Sequence, residues 1–234
     1  MSIRLITFDL DDTLWDNRPV ILGAETAMRD WISVHAPRLA SQPVDHLSQV
    51  RGRLLEAEPD LKYRLSELRR RTLRHALESV GHDPEEAAQL AEGAFQAMLE
   101  ARHAITFFSD TVNTLELLAN GYSLGVITNG NADVRRLGLA DYFNFILCAE
   151  ELGVGKPDAK PFREALARSG MSAEQAVHIG DHPGDDIAGA QAAGWRAVWF
   201  NPEGKQWTGD KQADAQIRSL SELPAVLQLW ESMT

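Results

Sequence analysis

The 234-residue chain is predicted to belong to the α/β class, with a parallel sheet flanked by helices and an all-helical segment inserted into it. Three observations lead to this prediction. An apolar stretch from Ile3 to Phe8 ends abruptly in a cluster of acidic residues, as a buried strand does when it delivers side chains to a site at its carboxyl end. Residues 16–104 contain four helical patterns and no strand pattern. From residue 110 onwards, short strand patterns alternate with helical ones, which is typical of a parallel sheet covered by helices.

The inserted segment is predicted to be helical because its apolar residues recur every three or four positions. The four helices are expected at about residues 20–36, 43–59, 61–80 and 84–102. The last is the best delimited, since Asp83 can cap it, Pro84 suits its first position and Glu86 follows three residues after the cap. We therefore predict two domains: a Rossmann-like parallel-sheet core of residues 1–15 and 106–234, and a helical domain of residues 16–105.

The second part of the chain supplies most of the predicted core. In order, its expected elements are a helix at 112–119, a strand at 123–128, a short helix after Ala132, a strand at 145–149, a helix at 161–169, a strand at 176–180, a helix at 186–193, a strand at 196–200 and a final helix at 221–232. Gly121 and Gly194 follow two of these helices, where glycine commonly ends a helix.

The composition is that of an acidic globular protein. Lys and Arg total 23 against 34 Asp and Glu, so the formal net charge is −11. This excess repels nucleic acid and anionic membrane surfaces, so neither is expected as a partner, and a phosphate ligand would need a local positive site. Cys148 is the single cysteine, and we recognise no signal sequence or long apolar run. We expect a cytoplasmic protein, and the sequence does not indicate its oligomeric state.

The acidic cluster after the first strand is the leading candidate for chemistry. In the pattern Asp9-x-Asp11, the first carboxylate could attack an electrophile, while the second could serve the leaving group as acid and then as base. Carboxylates this close repel one another unless a cation or a shared proton relieves the repulsion, so we expect a metal site. The alternative is an acidic turn that faces solvent, since Asp is common in turns.

Two further motifs follow strand ends, where a parallel sheet would bring them beside Asp9. The run Thr128-Asn129-Gly130 offers a hydroxyl and backbone N–H groups that could cradle an anion, although a plain turn would have the same composition. Lys156 could neutralise phosphate charge and lower the pKa of Asp9, or it could be an ordinary solvated lysine.

A second acidic motif follows the strand at 176–180. Asp181 comes directly after that strand, and Asp185 and Asp186 open the next helix. Mg²⁺ prefers oxygen ligands of this kind. Acidic residues at a helix amino terminus can also be favoured by the helix dipole alone.

Taken together, the motifs resemble those of haloacid dehalogenase superfamily phosphatases. The matching residues are Asp9-x-Asp11-x-Thr13, Thr128, Lys156-Pro157, and Gly180-Asp181 with Asp186 five residues later. The helical insertion is similar to the cap that this family carries after the first motif. The resemblance implies a phosphoric monoester hydrolase that acts on a small-molecule phosphate ester through an aspartyl-phosphate, with Mg²⁺ as cofactor.

The resemblance also implies a role for each matching residue. Asp9 would be the nucleophile, Asp11 the acid and base, Thr128 a hydrogen-bonding partner of the phosphoryl group, and Lys156 the residue that orients Asp9 and the phosphate. Asp181 would ligate Mg²⁺ together with Asp9 and the backbone carbonyl of Asp11, and Asp186 would act behind these ligands or through water. Asn129 and Gly130 are expected to complete the substrate-binding cradle.

The choice of substrate is expected to lie in the cap and its two connections to the core. Several strings, including Leu10–Val20, Glu56–Pro59 and Ile127–Asn131, are similar to bacterial flavin mononucleotide phosphatases, which also act on a phosphorylated ribitylamino-uracil of riboflavin synthesis. This similarity implies flavin mononucleotide or a riboflavin-pathway phosphate as substrate, and Trp15 offers a flat contact surface for it. The arginines between residues 64 and 74 could bind substrate, but a solvated helix face is favoured.

Other functions remain open at this point. A phosphatase or phosphomutase for another sugar or nucleotide phosphate would keep the same motifs. A haloacid dehalogenase is disfavoured, because its leaving halide needs no acid at the position of Asp11. A non-catalytic binding module is disfavoured because the motif residues are intact.

Overall fold

The structure is a computed structural model, and it describes residues 2–232. It divides into two compact units, one formed by the residues up to Asp16 together with those from Thr106 onwards, and the other by Asn17–Ile105.

The second unit is helical throughout. Its helices are α1 (Asn17–His35), α2 (Pro37–Ala40), α3 (His46–Ala57), α4 (Leu65–Ser79) and α5 (Pro84–Arg102), with a 3₁₀ turn at Pro59–Tyr63. Helix α5 packs against both α1 and α4, and its Phe95 and Met98 are buried among Ile32, Leu73 and Leu77. The short helix α2 was not predicted; Pro37 occupies its first turn, a position in which proline is well tolerated.

The polar residues of this unit support its helices locally. Asp83 caps α5 as predicted, and its Oδ1 accepts hydrogen bonds of 3.0 Å from the N–H groups of Glu85 and Glu86. The cationic stretch on α4 forms ion pairs at the surface of the same unit: Arg70 with Glu92, Arg71 with Glu58 and Arg74 with Glu78. These contacts support the interpretation of the arginines as a solvated helix face.

The first unit is built on a six-stranded parallel sheet, which confirms the predicted fold class. Its strands are β1 (Leu5–Phe8), β2 (Ser123–Thr128), β3 (Phe145–Cys148), β4 (Ala176–Gly180), β5 (Arg196–Phe200) and β6 (Ala215–Ile217). They lie in the order β3-β2-β1-β4-β5-β6. All four residues of β1 are buried, as expected for a central strand covered on both faces. Strand β6 was not predicted, because its three residues form a strand only through their pairing with β5.

The helices of this unit are α6 (Thr111–Ala119), α7 (Ala149–Leu152), α8 (Ala159–Ser169), α9 (Gly189–Ala192) and α10 (Leu223–Ser232). The helix predicted after Ala132 is wrong: this segment forms turns, one of which is closed by the Leu139 N–H donating to the Val134 carbonyl over 3.0 Å. The helix expected at 186–193 instead begins as a π-helical turn at Pro183–Ala188 and becomes α-helical only at α9.

The strand order positions the site. The chain builds β1, β2 and β3 outwards on one side and then returns to place β4 on the other side of β1. Parallel sheets bind their ligands outside the carboxyl ends of the strands at the place where the order reverses, which here lies between β1 and β4.

Candidate active site

The predicted site residues meet at the carboxyl ends of the three central strands. Asp9 directly follows β1, Thr128 ends β2 and Asp181 directly follows β4. They line a cavity of about 220 Å³, together with Asp11, Asp12, Asn129, Gly130, Lys156, His182, Asp185 and Asp186. Every lining residue belongs to the sheet-containing unit.

Lys156 lines this cavity and is almost completely buried. Its Nζ is 2.6 Å from Asp9 Oδ1 and 2.7 Å from Asp186 Oδ1, and it donates to the Ile127 carbonyl over 2.6 Å. These three acceptors match the three donors of an ammonium group. Burial by itself would lower the pKa of Lys156, but the two carboxylates more than offset that effect and raise it. The alternative of a solvated lysine is therefore wrong.

Asn129 fixes the backbone at Lys156. The Lys156 N–H donates to Asn129 Oδ1 over 2.8 Å, and Asn129 Nδ2 donates to the Lys156 carbonyl over 2.9 Å. A Cβ at Gly155 would lie 2.3 Å from Asn129 Oδ1, so the glycine permits this close approach. We expected Asn129 to bind substrate, but its side-chain amide is used to hold the Lys156 segment. Asn129 also lines the cavity, so its contact with substrate stays a prediction beside this supporting role.

The Thr128-Gly130 turn is closed by a hydrogen bond between its own residues. Thr128 is buried, and its Oγ1 accepts a 3.0 Å hydrogen bond from the Gly130 N–H. Both residues line the cavity, and the Thr128 hydroxyl, whose oxygen accepts from Gly130, keeps its own proton to donate.

Asp186 is held by partners on both of its oxygens. Its Oδ1 contacts Lys156 and His178, and its Oδ2 accepts a 2.9 Å hydrogen bond from the His182 N–H. Burial alone would raise the pKa of Asp186, but Lys156 and His178 lower it well below its usual range. A Cβ on Gly180 would lie 2.2 Å from Asp186 Cγ, so only glycine leaves room for this carboxylate. Asp186 is thus an ionised partner of Lys156, whereas Asp185 is partly exposed beside it.

His178 was missed by the sequence reasoning. Its ring is fully buried in β4, with Nε2 3.1 Å from Asp186 Oδ1 and Nδ1 2.8 Å from Thr7 Oγ1. Burial and the nearby Lys156 charge lower the pKa of His178, so the imidazole is neutral. The contact with a carboxylate places its proton on Nε2, and the Thr7 hydroxyl then donates to Nδ1. A polar residue inside the apolar run Val177–Ile179 was the signal that could have identified it.

The carboxylates of the cavity carry more negative charge than Lys156 can balance. Burial raises the pKa of Asp9 well above its usual range, and Lys156 offsets only part of that effect. Lys156 does lower the pKa of Asp9, as expected. Its effect is smaller than that of burial, and Lys156 also pairs with Asp186. Burial, with the charges of Asp186 and Asp12, raises the pKa of Asp181 to about 7.

A hard divalent cation fits this arrangement. Asp9, Asp181 and Asp186 each offer a carboxylate oxygen, and these atoms lie within 4.8 Å of one another. Oxygen donors of this kind suit Mg²⁺ or Ca²⁺, and the added positive charge would favour the ionised forms of Asp9 and Asp181. The backbone at Asp181 is held by a hydrogen bond, which Trp199 Nε1 donates to the Asp181 carbonyl over 2.7 Å.

Asp11 and Trp15 follow Asp9 along the chain but differ in exposure. Asp11 is partly exposed and lines the cavity, whereas the Trp15 ring is fully buried and is not part of the cavity lining. Trp15 Nε1 donates to Asp11 Oδ1 over 3.1 Å. We expected Trp15 to contact the substrate; this is corrected, because a ring without exposed surface cannot offer a stacking face.

The parallel sheet and the acidic, lysine-centred cavity define an α/β enzyme whose chemistry lies at the carboxyl ends of its central strands. Comparison with known proteins agrees. The family model for haloacid dehalogenase-like hydrolases matches residues 3–194. The chain is 33% identical over 229 residues to the 5-amino-6-(5-phospho-D-ribitylamino)uracil phosphatase YigB of Escherichia coli, with 96% of each chain covered.

Two further matches differ in what they describe. The phosphoserine phosphatase of Thermus thermophilus is 36% identical over 160 residues, which cover 66% of this chain and 63% of the relative. A solved structure described as a 2-haloacid dehalogenase from Pseudomonas syringae superposes with a TM-score of 0.95 at 59% identity, and 97% of this chain and 99% of the other are covered.

The chain belongs to the haloacid dehalogenase-like hydrolase family. Within that family it is a phosphatase, as are several of the curated relatives that it matches. Among the described residues 2–232, no helix combines the length and apolar character needed to cross a membrane.

Proposed function

We propose that the protein hydrolyses a small-molecule phosphate monoester, with Mg²⁺ as cofactor and an aspartyl-phosphate on Asp9 as the intermediate. The observation that carries this proposal is the buried Lys156 held between Asp9 and Asp186, with Asp11 lining the same cavity. Phosphoryl transfer requires mainly positioning and neutralisation of oxygen charge, which this arrangement provides.

The residues of the site have distinct tasks in this mechanism. Asp9 attacks the phosphorus while Lys156 holds the attacking carboxylate in place. The Thr128 hydroxyl donates to a phosphoryl oxygen, and the Gly130 N–H holds that hydroxyl by donating to Thr128 Oγ1. Asp11 protonates the leaving oxygen and then takes a proton from the water that hydrolyses the aspartyl-phosphate.

Asp9, Asp181 and the backbone carbonyl of Asp11 would hold the Mg²⁺, and Asp186 would support them from its position beside Lys156. When bound, the cation supplies charge neutralisation between the nucleophile and the phosphate oxygens. The raised pKa of Asp9 and of Asp181 supports this assignment, because burial and, to a smaller extent, neighbouring carboxylates disfavour their ionised forms, which a cation would favour.

The substrate that we propose is flavin mononucleotide or a phosphate ester of riboflavin synthesis. The similarity to the Escherichia coli phosphatase over 96% of both chains supports this choice. The cavity of about 220 Å³ is smaller than the roughly 300–1,000 Å³ of pockets that enclose drug-sized ligands, so it suits the phosphoryl end of such an ester. We propose that residues 16–105 act as a cap that selects the remainder of the substrate, with residues 1–15 and 106–234 as the catalytic core.

Dehalogenation of a 2-haloacid is the second candidate, because the Pseudomonas syringae structure at 59% identity is described as such an enzyme. The two reactions differ in what they ask of Asp11. A halide leaves without a proton, whereas an alkoxide leaves slowly unless an acid protonates it. The presence of Asp11 at the cavity favours the phosphatase.

One assay series tests the proposal. Flavin mononucleotide, a set of sugar phosphates, p-nitrophenyl phosphate and 2-chloropropionate are each offered to the protein with Mg²⁺ and with a chelator. We expect phosphate release that depends on Mg²⁺, no chloride release, and the highest kcat/KM for the flavin ester. Flavin mononucleotide ranking among the poorest esters would reject the substrate and leave the phosphatase in place. Chloride release without phosphate release would reject both.

A further inference from the structure

We infer that Trp15 is a positioning residue that sets the orientation of the Asp11 carboxylate, an inference that rests on the acid and base role proposed for Asp11. The two residues are four positions apart and are joined by the hydrogen bond from Trp15 Nε1 to Asp11 Oδ1, 3.1 Å long. Asp11 lines the cavity while Trp15 is fully buried. The hydrogen bond thus connects a reacting group to the rigid interior of the sheet-containing unit.

The indole is held from several directions. Trp15 forms an isolated parallel β-bridge with Asp11 and an antiparallel one with Phe107, and its ring lies 6.1 Å from that of Phe107 at 57°. The preceding carbonyl, of Leu14, accepts hydrogen bonds from the Phe108 N–H at 3.0 Å and the Thr111 hydroxyl at 2.9 Å. These contacts fix the backbone around Trp15, so its N–H has little freedom to turn away from Asp11.

This geometry distinguishes the two oxygens of Asp11. An indole N–H is a donor only, so it favours the unprotonated oxygen as its acceptor. With Oδ1 engaged by Trp15, the proton that Asp11 delivers is carried on Oδ2. In the first step this proton passes from Oδ2 to the ester oxygen as the P–O bond breaks and the Asp9–phosphorus bond forms. In the second step Oδ2 takes a proton from water as the water oxygen bonds to phosphorus and the Asp9–phosphorus bond breaks.

The substitution Trp15→Phe tests the inference, because it keeps a flat buried ring and removes the N–H. The measurement is kcat/KM, which reports the step in which the leaving group departs, for a simple alkyl phosphate and for p-nitrophenyl phosphate. We expect a loss of about tenfold for the alkyl ester, as for one hydrogen bond to a charged group, and less than about twofold for the p-nitrophenyl ester, which leaves without a proton.

Trp195→Phe is the matched control. Trp195 is also buried, but its Nε1 has no hydrogen-bond partner within residues 2–232, so the same change there removes an unused donor. The ratio of the two kcat/KM values should be unchanged in this variant. Trp15→Phe should also add no further loss in an Asp11→Asn background, since the N–H acts only through that carboxylate.

The outcomes separate this inference from the function on which it rests. Equal losses for both esters in Trp15→Phe, or no loss in a variant with unchanged thermal unfolding, would overturn the positioning role. If Asp11→Asn itself shows no dependence on the leaving group, the acid role of Asp11 is rejected instead. Should Trp15→Phe fail to fold, Phe107→Leu loosens the ring while keeping the N–H. It should then show the same preference for the p-nitrophenyl ester in weaker form, and equal losses for both esters would again overturn the inference.

Discussion

At the scale of single residues, the site depends on how one buried ammonium is shared between two carboxylates. Lys156 contacts Asp9 and Asp186 at nearly equal distances, 2.6 and 2.7 Å, but the two acids are affected in opposite directions. His178 and the His182 N–H add hydrogen bonds to Asp186, which therefore takes the ionised form and has a lowered pKa. Among residues 2–232, Lys156 is the only side chain that donates a hydrogen bond to Asp9, and burial keeps the pKa of Asp9 raised. A cation in the cavity would therefore favour the ionised form of Asp9, the proposed nucleophile.

Substitution of Asp9 and substitution of Asp11 should block different steps of the reaction. Asp9→Asn removes the nucleophile, so neither aspartyl-phosphate nor turnover is expected. Asp11→Asn should still become phosphorylated from p-nitrophenyl phosphate, while hydrolysis of alkyl esters falls by roughly 10²–10⁴-fold, as is usual for a lost general acid. Rapid-quench detection of phosphorylated protein distinguishes the variants. Asp210→Asn, at an exposed position, is the control. Aspartyl-phosphate in the Asp9→Asn variant would show that another residue is the nucleophile.

At the scale of secondary-structure elements, two helical glycines differ in whether a neighbouring side chain leaves room for a Cβ. Gly23 in α1 has open space where a Cβ would stand, whereas a Cβ on Gly93 in α5 would lie 2.3 Å from the Trp31 ring. Both glycines lie inside helices, so both carry the same entropic cost relative to alanine. An added methyl group would have open space at Gly23 but would clash with the Trp31 ring at Gly93.

This contrast defines a pair of substitutions with opposite effects. Gly23→Ala should raise the free energy of unfolding by about 0.5–1 kcal/mol, because alanine restricts the unfolded chain and favours the helix. Gly93→Ala should lower it by about 1–3 kcal/mol, because the Trp31 ring must shift out of its packed position. Urea unfolding of both variants against the unchanged protein measures the two effects. A stabilising Gly93→Ala would show that α1 and α5 can separate at no cost.

Asp110 joins two elements of the sheet-containing unit. Its Oδ2 accepts hydrogen bonds from the Ser219 hydroxyl and from the Ser221 N–H, the latter 2.9 Å long, so it ties the start of α6 to the turn before α10. Burial would raise the pKa of Asp110, but these hydrogen bonds outweigh it and lower the pKa below the ordinary value of 3.8.

This lowered pKa predicts how the contribution of Asp110 changes with pH. A carboxyl group whose pKa is lower in the folded protein stabilises the fold above its unfolded pKa, and that stabilisation is lost as the pH falls through the folded pKa. Because Asp110 is partly exposed and solvent screens its charge, Asp110→Asn should cost only about 0.5–1 kcal/mol at pH 7, and the difference from the unchanged protein should shrink as the pH drops below about 4. Chemical unfolding at a series of pH values gives this difference directly. A cost that stays constant down to pH 2 would argue that the charge of Asp110 is irrelevant.

At the scale of the whole molecule, the protein carries a formal net charge of −11, and in one cavity the carboxylates of Asp9, Asp181 and Asp186 lie within 4.8 Å of one another. Such crowding destabilises the folded chain, and a cation that binds there should stabilise it by mass action.

Mg²⁺ at about 100 times its dissociation constant should add roughly 2.7 kcal/mol to the free energy of unfolding, which corresponds to several degrees in the apparent melting temperature. Thermal unfolding with Mg²⁺ and with a chelator measures this shift without any substrate. Asp181→Asn is the matched comparison, because it removes one cavity carboxylate and should lose most of the shift. An equal shift in both proteins would assign the stabilisation to a general ionic effect.

Much of the site followed from local sequence. Apolar runs that stop at Asp9, Thr128 and Asp181 identified three buried strands and the edge at which their side chains meet, because the carboxyl ends of parallel strands lie together. Other features had no local signal. The helix after Ala132 and the strand Ala215–Ile217 were misjudged because short segments take their conformation from the neighbours they pair with.

What the sequence determined by itself was the fold class, the parallel sheet with its helical insertion, and the identity of the acidic and basic groups that line the cavity. Each of these depends on periodicity or on residue type at a strand end, which are local properties. Only the tertiary structure decided which hydrogen-bond partners each of those groups has. In the structure, Asn129 is hydrogen-bonded to the Lys156 backbone, His178 to Asp186 and the Trp15 N–H to Asp11. The first two contacts join residues from different parts of the chain, and all three depend on packing, which no pattern along the chain records.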